Sequence, residues 1–526
     1  MRTLLKNGNV FDGLGSLPEV LDVLIDGESI GLVGRDLVCE SDEVIDISGF
    51  ALTPGFIDMH RHCDLAALYD PLFGEIEASQ GVTCAFMGNC GIAPVPRPVD
   101  WHMRSYVEPV IGKVPPEFGL DSYGSYAGAL KNAKLPISLG FFAGTGAILA
   151  SVKGFSKEPL TDSQLDRAVG LAREAMEAGA AGVSMGLMYQ PECWASEKEL
   201  SAIAREASRF GKLLVMHIRN EGGELSRSVT EAIRIAQISE VRLNISHFKV
   251  TGKKNWGSGI QEAIELVESA RASGADVTVD FYPYDAGATT LLSVLPPTVP
   301  ANSESDLAEL ATDSGKRFLA QEMEKSHEGW ENMAKEIGWD AIVISSVSRP
   351  DNQWMLGKSV AGIAGRLGVK DPVQLVAELL ASENGTVGII LHSMSFEDVK
   401  AISKLDYAAL ISDSLYGGGS RPHPRLYGSF PKFLQQFCLE SKLMPPEIAI
   451  KKMTSMPAKR VGLLNQGCIL PGYRADLLVF KLPDFISRAD WNDPCQLASG
   501  LKWGFIGGKL AVDSGRLTGA RNGIVV

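Results

Sequence analysis

The sequence predicts an α/β protein whose central domain is a (β/α)8 barrel of the TIM type. In the middle of the chain, short apolar runs of strand length alternate with longer segments of helical periodicity. Both ends of the chain consist instead of short strand-like pieces broken by Asp-Gly and Asn-Gly turns. Because the two ends share this pattern, we expect them to form one small β-sandwich domain together.

Eight strands alternate with helices in the middle region, which favours a closed barrel over an open sheet. The alternative, a doubly wound sheet, requires a reversal of strand order for which the sequence gives no sign. The predicted strands are Gly55–Met59, Cys84–Met87, Ile137–Phe142, Gly182–Met185, Leu213–His217, Leu243–Ser246, Val277–Tyr282 and Ala408–Ile411.

The helices between these strands carry their own start and stop signals. Residues 162–178 have an apolar face, and Gly179 ends that helix. A capping box from Ser196 to Glu199 begins the next helix.

Three regions follow from these patterns. Residues 1–52 and 465–526 are predicted to form the small β-domain, and residues 53–464 the barrel. Residues 287–345 interrupt the barrel after the seventh strand and contain a predicted helix over 304–336. A structureless loop of that length is uncommon, so we expect an inserted subdomain, and whether it moves as a lid is left open.

The composition is typical of a globular protein, with 45% hydrophobic and 21% charged residues. A formal net charge of −13 without a basic run argues against a nucleic-acid partner. There is no apolar targeting region and no run of about 20 apolar residues, so we expect a cytoplasmic protein without membrane contact. The eight cysteines form no Cys-x-x-Cys pair, which is typical of reduced thiols. The sequence leaves open whether the chain forms homo-oligomers.

Three metal-ligating residues, Cys90, His217 and His247, each follow a predicted strand. Because the carboxyl ends of parallel strands meet at one edge of a sheet, we expect these side chains to converge. A thiolate and two imidazoles suit Zn²⁺, and three protein ligands leave a coordination position for water. A lone histidine is more often a core residue, but two in equivalent positions on consecutive strands favour a site. The sequence therefore predicts a zinc-dependent hydrolase.

The first predicted strand ends in His60-Arg61-His62. Side chains repeat every second residue along a strand, so both imidazoles are expected on one side. Taken alone this pattern is weak, but at a strand end of the same barrel it predicts two further metal ligands.

Asp413 follows the eighth predicted strand. A carboxylate that faces a metal-bound water can accept its proton and deliver it to a leaving amine. Lys249, Tyr282 and Arg425 follow strands in the same register. Cations and hydroxyls around a hydrolytic centre would bind an anionic substrate group, most simply a carboxylate.

Longer motifs surround these residues and run nearly from end to end of the chain. They are Pro54-Gly55-Phe56-Ile57-Asp58, Gly88-Asn89-Cys90-Gly91-Ile92, Tyr189-x-Pro191, His217-x-Arg219-x-Glu221-Gly222, Ser246-His247-x-Lys249-x-x-Gly252, Tyr282-Pro283-Tyr284, Ser412-Asp413, Arg421-Pro422-His423-Pro424-Arg425 and Pro471-Gly472-Tyr473-Arg474-Ala475-Asp476-Leu477. With these motifs the sequence resembles the amidohydrolase superfamily, and within it the D-aminoacylase (N-acyl-D-amino-acid deacylase) family. The Asn-Cys-Gly and Arg-Pro-His-Pro-Arg motifs are the most specific.

The resemblance implies a distorted TIM barrel with a small β-sandwich, and hydrolysis of an N-acyl-D-amino acid to a carboxylate and the free D-amino acid. It implies a tight zinc site and a weaker second site that share Cys90, and a metal-bound water that attacks the acyl carbonyl. Asp413 would act as general base and then as acid. The implied tight ligands are Cys90, His217 and His247, the second-site ligands His60 and His62, and the substrate-binding residues Lys249, Tyr282, Arg425 and Tyr189.

Two departures from the family pattern concern the substrate. The family often has Gly-His-Gly where this chain has Gly144-Thr145-Gly146, and Ala-Gly-Ser where it has Ala286-Gly287-Ala288. These differences bear on which acyl amino acid is accepted and leave metal-dependent hydrolysis unaffected.

Two alternatives stand beside this interpretation. A cyclic amidase of the hydantoinase or dihydroorotase type resembles the same architecture but bridges two metals with a modified lysine after strand four, and the segment 182–187 has no lysine. A non-catalytic scaffold on the same fold predicts a missing ligand or a missing general base, whereas every expected residue is present.

Overall fold

Eight parallel strands form the centre of the molecule and confirm the predicted barrel. The computed structural model describes residues 2–97, 104–115, 117–417, 419 and 421–526. Every predicted barrel strand is present, with ends that differ from the prediction by a residue or two. The strands are β6 (Phe56–Asp58), β8 (Val82–Met87), β9 (Ser138–Phe141), β11 (Gly182–Gly186), β12 (Leu213–His217), β13 (Arg242–Ile245), β14 (Val277–Phe281) and β18 (Ala408–Leu410).

The barrel consists of two hydrogen-bonded arcs. One arc has the order β6-β8-β9. The other begins with a short strand, β10 (Ala143–Gly144), and has the order β10-β11-β12-β13-β14-β18. The extensions of the first and eighth strands lie side by side, because β7 (Arg61–His62) pairs in parallel with β19 (Ser414–Leu415). The strand order follows the chain without the reversal that a doubly wound sheet requires. The carboxyl ends of all eight strands therefore face the same end of the barrel.

Helices pack around the barrel, and their starts follow the predicted caps. The Ser196 side chain accepts a hydrogen bond from the Glu199 backbone N–H, which completes the predicted capping box. None of the described helices is long and apolar enough to cross a lipid bilayer. The barrel helices are α1 (Ala66–Tyr69), α2 (Glu75–Ser79), α3 (Arg104–Ile111), α4 (Tyr123–Asn132), α5 (Thr145–Lys153), α6 (Asp162–Glu177), α7 (Glu197–Arg209), α8 (Leu225–Ser239), α9 (Ser258–Ala272), α15 (Phe396–Ser403), α16 (Arg425–Lys432), α17 (Pro446–Met453) and α18 (Ser455–Val461).

The segment between β14 and β18 contains an antiparallel sheet, ordered β15-β17-β16, and an apolar cluster of its own. Its elements are β15 (Gly287–Thr290), β16 (Ile342–Ser346), β17 (Gly388–Leu391), α10 (Glu304–Leu310), α11 (Asp313–Glu324), α12 (Met333–Ile337), α13 (Val360–Leu367) and α14 (Pro372–Ser382). The prediction of one helix over 304–336 is wrong, because three helices occupy that range. The sheet continues past 345, since β17 pairs with both other strands. The insertion's bounds stay a prediction.

Strands from both ends of the chain form one nine-stranded sheet in the described residues. The antiparallel pair β5 and β20 joins the two ends, and buried apolar side chains from both form a separate cluster. The strands are β1 (Arg2–Val10), β2 (Glu19–Asp26), β3 (Ser29–Gly34), β4 (Glu43–Asp46), β5 (Ala51–Pro54), β20 (Leu477–Phe480), β21 (Leu501–Ile506), β22 (Lys509–Asp513) and β23 (Arg516–Leu517). A division at residues 52 and 465 remains a proposal.

Candidate metal centre and active site

The residues predicted as metal ligands converge at the carboxyl ends of the barrel strands. One ligand atom from each of Cys90, His217 and His247 lies within 4.8 Å of the others, and His60, His62 and Cys90 form a second group of the same size. The Cys90 Sγ is 3.3 Å from His60 Nε2 and 3.5 Å from His247 Nε2. Cys90 therefore belongs to both groups and lies between them.

A strained turn after β8 presents the Cys90 thiol. The backbone φ angles of Gly88, Cys90 and Gly91 are 75°, 55° and 70°, in the left-handed region that glycine adopts most readily. A Cβ atom on Gly88 would lie 2.3 Å from the Phe142 carbonyl oxygen, so no larger residue fits there. The two glycines thus let the chain turn tightly enough to place a cysteine over the barrel axis.

The imidazoles of His60, His217 and His247 favour the neutral form, which can offer a lone pair to a metal ion. Burial lowers the pKa of His60, His217 and His247 well below the ordinary value. Both ring nitrogens of His217 are buried without a hydrogen-bond partner, and so is Nδ1 of His62. The Nδ1 of His247 lies 2.7 Å from Lys249 Nζ and 3.0 Å from Glu221 Oε1, so these two residues orient the ring with Nε2 on the Cys90 side.

The thiol of Cys90 completes a donor set that fits a soft divalent cation. Burial raises the pKa of Cys90 well above its ordinary value, so a bare thiolate there would be unfavourable. A metal ion provides the compensating charge, and thiolate with imidazole ligands is typical of zinc. The residues present therefore fit a metal centre, with the unpartnered nitrogens of His217 as the structural sign of it.

Asp413 faces the histidines of β6 and β7 and is held by Arg425. Its Oδ1 lies 3.4 Å from the Nε2 atoms of both His60 and His62, and Arg425 Nη1 lies 2.9 Å from its Oδ2. Burial alone raises the pKa of Asp413, but Arg425 and His60 outweigh it and hold the pKa well below the ordinary value. The carboxylate is therefore ionised and has one oxygen directed at the metal ligands.

Lys249 and Glu221 form a buried pair beside His247. The Lys249 Nζ is 2.6 Å from Glu221 Oε1 and 2.9 Å from the His247 carbonyl oxygen. Burial by itself lowers the pKa of Lys249, but Glu221 outweighs it and the pKa is raised. The Tyr282 ring lies near both cations of the site, with its centroid 5.9 Å from Lys249 Nζ and 4.7 Å from the Arg425 guanidinium carbon.

A cavity opens onto this cluster, and all predicted site residues except His60 line it. The Tyr189 ring lies 5.1 Å from the His217 ring, and its hydroxyl is 3.0 Å from Thr289 Oγ1. Ala288, where the family often has serine, lines the same wall as Thr289. The full lining is His62, Cys90, Ile92, Val110, Met188, Tyr189, His217, Glu221, His247, Lys249, Thr251, Tyr282, Gly287, Ala288, Thr289, Glu331, Met333, Ile337, Leu391, Ser393, Asp413, Leu415 and Arg425.

Three buried acids around the site, Glu221, Asp280 and Glu331, were not predicted from the sequence. Glu221 stands within the motif that begins at His217, so its spacing was a usable signal. Asp280 accepts a hydrogen bond from the His247 backbone N–H, and burial raises its pKa to about 8. The position of Asp280 within an otherwise apolar strand was a usable signal for a buried functional acid. Glu331 comes from the inserted segment, and nothing in the sequence around it indicates its position.

Arg61, between the two histidines of β6 and β7, was also missed. Its guanidinium is fully buried and contacts two carboxylates, with Nη2 2.7 Å from Glu77 Oε1 and Nη1 3.3 Å from Asp58 Oδ2. Nη1 also donates to the hydroxyls of Ser412 and Ser414, at 3.1 and 3.4 Å. These two serines flank Asp413, so Arg61 fixes the backbone that carries it.

A family model for amidohydrolases matches residues 43–295 of the chain. The chain is 30% identical over 506 residues to the N-acyl-D-glutamate deacylase of Alcaligenes xylosoxydans xylosoxydans, which covers 96% of this chain and 92% of that protein.

Two solved structures agree with this assignment over nearly the whole length. The first is the structure of a D-aminoacylase with a binuclear metal center. It matches this chain with a TM-score of 0.84 and 28% sequence identity, and the match covers 99% of each chain. The N-acyl-D-glutamate deacylase from Bordetella bronchiseptica, complexed with zinc and a phosphonate inhibitor, has a TM-score of 0.84 and 27% identity over 99% of this chain and 98% of that one. The chain therefore belongs to the amidohydrolase family and, within it, to the D-aminoacylases.

Proposed function

We propose that this protein is a zinc-dependent hydrolase that removes the acyl group from N-acyl-D-amino acids. The observation that carries the proposal is the convergence of Cys90, His217 and His247 within 4.8 Å, with the Asp413 carboxylate at the same end of the barrel. The family relatives support the reaction class, since one is named an N-acyl-D-glutamate deacylase and another a D-aminoacylase. The preference for the D-enantiomer rests on these relatives alone.

The tight zinc site in this proposal is Cys90, His217 and His247. His60 and His62, with Cys90 shared between the two groups, form a weaker second site. This assignment is supported by the D-aminoacylase described with one-metal activation and second-metal attenuation. When bound, zinc supplies Lewis-acid chemistry, because it polarises an amide carbonyl and lowers the pKa of water.

Asp413 transfers a proton from the attacking water to the departing amino-acid nitrogen. As a water oxygen adds to the acyl carbonyl carbon, Oδ1 accepts the proton that the water loses. As the carbon–nitrogen bond breaks, the same carboxyl gives that proton to the departing amino-acid nitrogen. Arg425 engages Oδ2 at 2.9 Å, which keeps the carboxylate oriented and leaves Oδ1 toward the reacting atoms.

Lys249, Arg425 and the Tyr282 hydroxyl bind the substrate carboxylate. Both cations line the cavity, and each lies near the Tyr282 ring. Each is already paired with an acid, Glu221 or Asp413, so an incoming carboxylate joins an existing pair. Tyr189 borders the cavity beside His217 and positions the acyl end of the substrate.

A substrate screen with the zinc-loaded protein tests this proposal. N-acetyl and N-formyl derivatives of D- and L-amino acids are compared with hydantoins and dipeptides. Release of the free D-amino acid, abolished by chelation and restored by zinc, is the expected result. Hydrolysis of hydantoins alone would favour the cyclic amidase, and no turnover of any amide by the metal-loaded protein would favour the scaffold.

The cavity argues against the cyclic amidase. That chemistry bridges two metals with a modified lysine after the fourth barrel strand, but β11 ends at Gly186 and Leu187 follows it. Among the described cavity-lining residues the lysine is Lys249, which follows β13 and pairs with Glu221.

A further inference from the structure

Acidic side chains outnumber basic ones in the cavity lining. Of the described lining residues, two are cationic, Lys249 and Arg425, and three are acidic, Glu221, Asp413 and Glu331. Each cation lies within hydrogen-bond distance of one acid, at 2.6 Å for Lys249 and Glu221 and at 2.9 Å for Arg425 and Asp413. Among these five lining residues, Glu331 is the acid that has neither cation within hydrogen-bond distance.

Both carboxylate oxygens of Glu331 are already engaged within the protein, and burial raises the pKa of this group to about 7, so it is an anion above that pH. Its Oε2 accepts the Glu221 backbone N–H at 3.1 Å, and its Oε1 accepts the hydroxyl proton of Thr251. The Thr251 hydroxyl is therefore already engaged and is not available as a donor to a ligand. An ionised group placed here would lose its water without gaining a partner, which is unfavourable.

Besides the candidate metal ligands and the hydroxyls of Tyr189, Thr251, Tyr282, Thr289 and Ser393, the remaining lining is apolar. Met333 and Ile337 from α12 and Leu391 from β17 belong to the inserted segment, as does Glu331, and all four line the cavity. The barrel loops add Ile92, Val110, Met188 and Leu415. Pockets of this composition hold apolar ligand groups, and a few polar residues fix the orientation.

We infer that this site selects N-acyl amino acids with an uncharged, apolar side chain, and that Glu331 is the specificity-determining residue that excludes a second carboxylate. The inference rests on the proposed function and narrows it. The substrate's own carboxylate joins Lys249 and Arg425, and its side chain lies along the apolar wall toward Glu331. In this respect the protein differs from the relative named for N-acyl-D-glutamate.

The test compares kcat/KM of the zinc-loaded protein for N-acetyl-D-leucine, N-acetyl-D-methionine, N-acetyl-D-glutamate and Nα-acetyl-D-lysine. We expect the two apolar substrates to be favoured over the glutamate by about 100-fold or more, the size expected for leaving a buried charge unpaired. Equal or better turnover of the glutamate overturns the inference while the proposed function stands. Preference for the lysine also overturns it, because Glu331 would then attract a cation. Failure of all four, in both enantiomers, would instead overturn the proposed function.

The role of Glu331 is tested by Glu331→Gln. This change is expected to raise the ratio of kcat/KM for the glutamate over that for the leucine at least about tenfold, chiefly through KM. The matched control is Glu336→Gln, which removes an acid of the same helical region that pairs with Lys254 outside the cavity lining. The control is expected to leave the ratio unchanged, and an equal change in both variants would refute the assignment.

A second variant decides the matter if Glu331→Gln does not fold. Met333→Lys adds a cation to the apolar wall and leaves the Glu331 hydrogen bonds in place. It is expected to raise the same ratio at least about tenfold, and an unchanged ratio in a folded, zinc-loaded Met333→Lys protein would reject this wall as the side-chain site.

Discussion

Three functional side chains depend on backbone conformations that residues other than glycine rarely adopt. The φ angles of Cys90, His247 and Asp413 are 55°, 36° and 50°. Each such conformation costs about 1–3 kcal/mol, so the surrounding structure must hold it in place. The His247 N–H donates to Asp280, and the Asp413 N–H donates to the His60 carbonyl oxygen at 2.9 Å. The strain at these residues directs all three side chains into one site.

Asp413→Asn removes the proton acceptor and keeps the shape of the side chain. We expect kcat to fall by about 10²–10⁴-fold, because general acid–base catalysis contributes that much. Zinc content should change little, whereas the unfolding midpoint should fall, because the buried Arg425 loses its ionised partner. The measurement is steady-state kinetics with zinc analysis, and Asp406→Asn, an exposed acid before β18, is the control. Unaltered turnover in Asp413→Asn would remove this residue from the mechanism.

Cys90→Ala removes the sulfur shared by both ligand groups. We expect zinc content to fall below half of the wild-type value after dialysis, since thiolate is the softest donor of the set. Cys84→Ala is the matched control, because Cys84 is also fully buried and lies within β8, before the turn. Metal analysis of both proteins distinguishes loss of a ligand from loss of a buried thiol. Equal zinc content in the two variants would contradict the site.

At the scale of elements, buried charges join the loops that carry the site. Arg61 links β7 to α2 through Glu77, and to the loop before β19 through Ser412. Glu192, in the loop after β11, accepts the Gly186 backbone N–H at 3.1 Å. Arg61 is fully buried, so its charge stabilises the site only while its carboxylate partners are present.

Arg61→Met leaves the Glu77 carboxylate buried without its cation. We expect the free energy of unfolding to fall by about 3–5 kcal/mol, measured by urea denaturation. The double variant Arg61→Met with Glu77→Gln should recover part of this loss, because it removes the unpaired charge. kcat should fall as well, since the serines beside Asp413 lose their donor. No recovery in the double variant would show that the loss arises from packing alone.

Glu192 predicts a pH dependence of stability. Burial raises its pKa from 4.5 to about 8, so the folded state binds its proton more tightly than the unfolded state does. Unfolding free energy therefore falls as the pH rises from about 4.5 to about 8. Relative to Glu192→Gln, the wild type should lose more than about 1 kcal/mol between pH 5.5 and pH 8.5. Urea denaturation at the two pH values measures this, and parallel pH profiles would refute it.

At the scale of the whole molecule, the two ligand groups connect strands that are distant in the sequence. His60 and His62 follow β6, Cys90 follows β8, His217 is the last residue of β12, and His247 follows β13. A metal bound there links both arcs of the barrel. Because it binds the folded state and not the unfolded one, it stabilises the fold in proportion to its occupancy.

Metal removal should therefore reduce activity and stability together. Chelated protein is expected to lose turnover, and zinc at about 100 times its Kd should raise the unfolding free energy by about 2.7 kcal/mol. Kinetics and urea denaturation before and after zinc addition measure both effects. Magnesium is the control ion, since thiolate and imidazole ligands disfavour it. Full activity in metal-free protein would contradict the proposed chemistry.

Periodicity and strand-end position were sufficient to predict the barrel and the residues that gather at its mouth. Strands such as Leu213–His217 can be predicted from their apolar runs. A metal-ligating residue at the end of such a run lies at the carboxyl end of the barrel strands. The three helices within 304–336 were not distinguished, because their breaks depend on packing in the inserted segment. The role of Arg61 could not be predicted either, because it depends on tertiary contacts. One of its carboxylate partners, Glu77, lies on a separate helix.

The sequence by itself determined the fold class, the candidate metal ligands and the candidate base, because residue type and local spacing carry that information. Only the tertiary structure decided which charges neutralise one another and which acids line the cavity. Glu331 and Glu221 are 110 positions apart, yet one accepts the backbone N–H of the other. Charge pairing of this kind depends on distances in space, which no local pattern encodes.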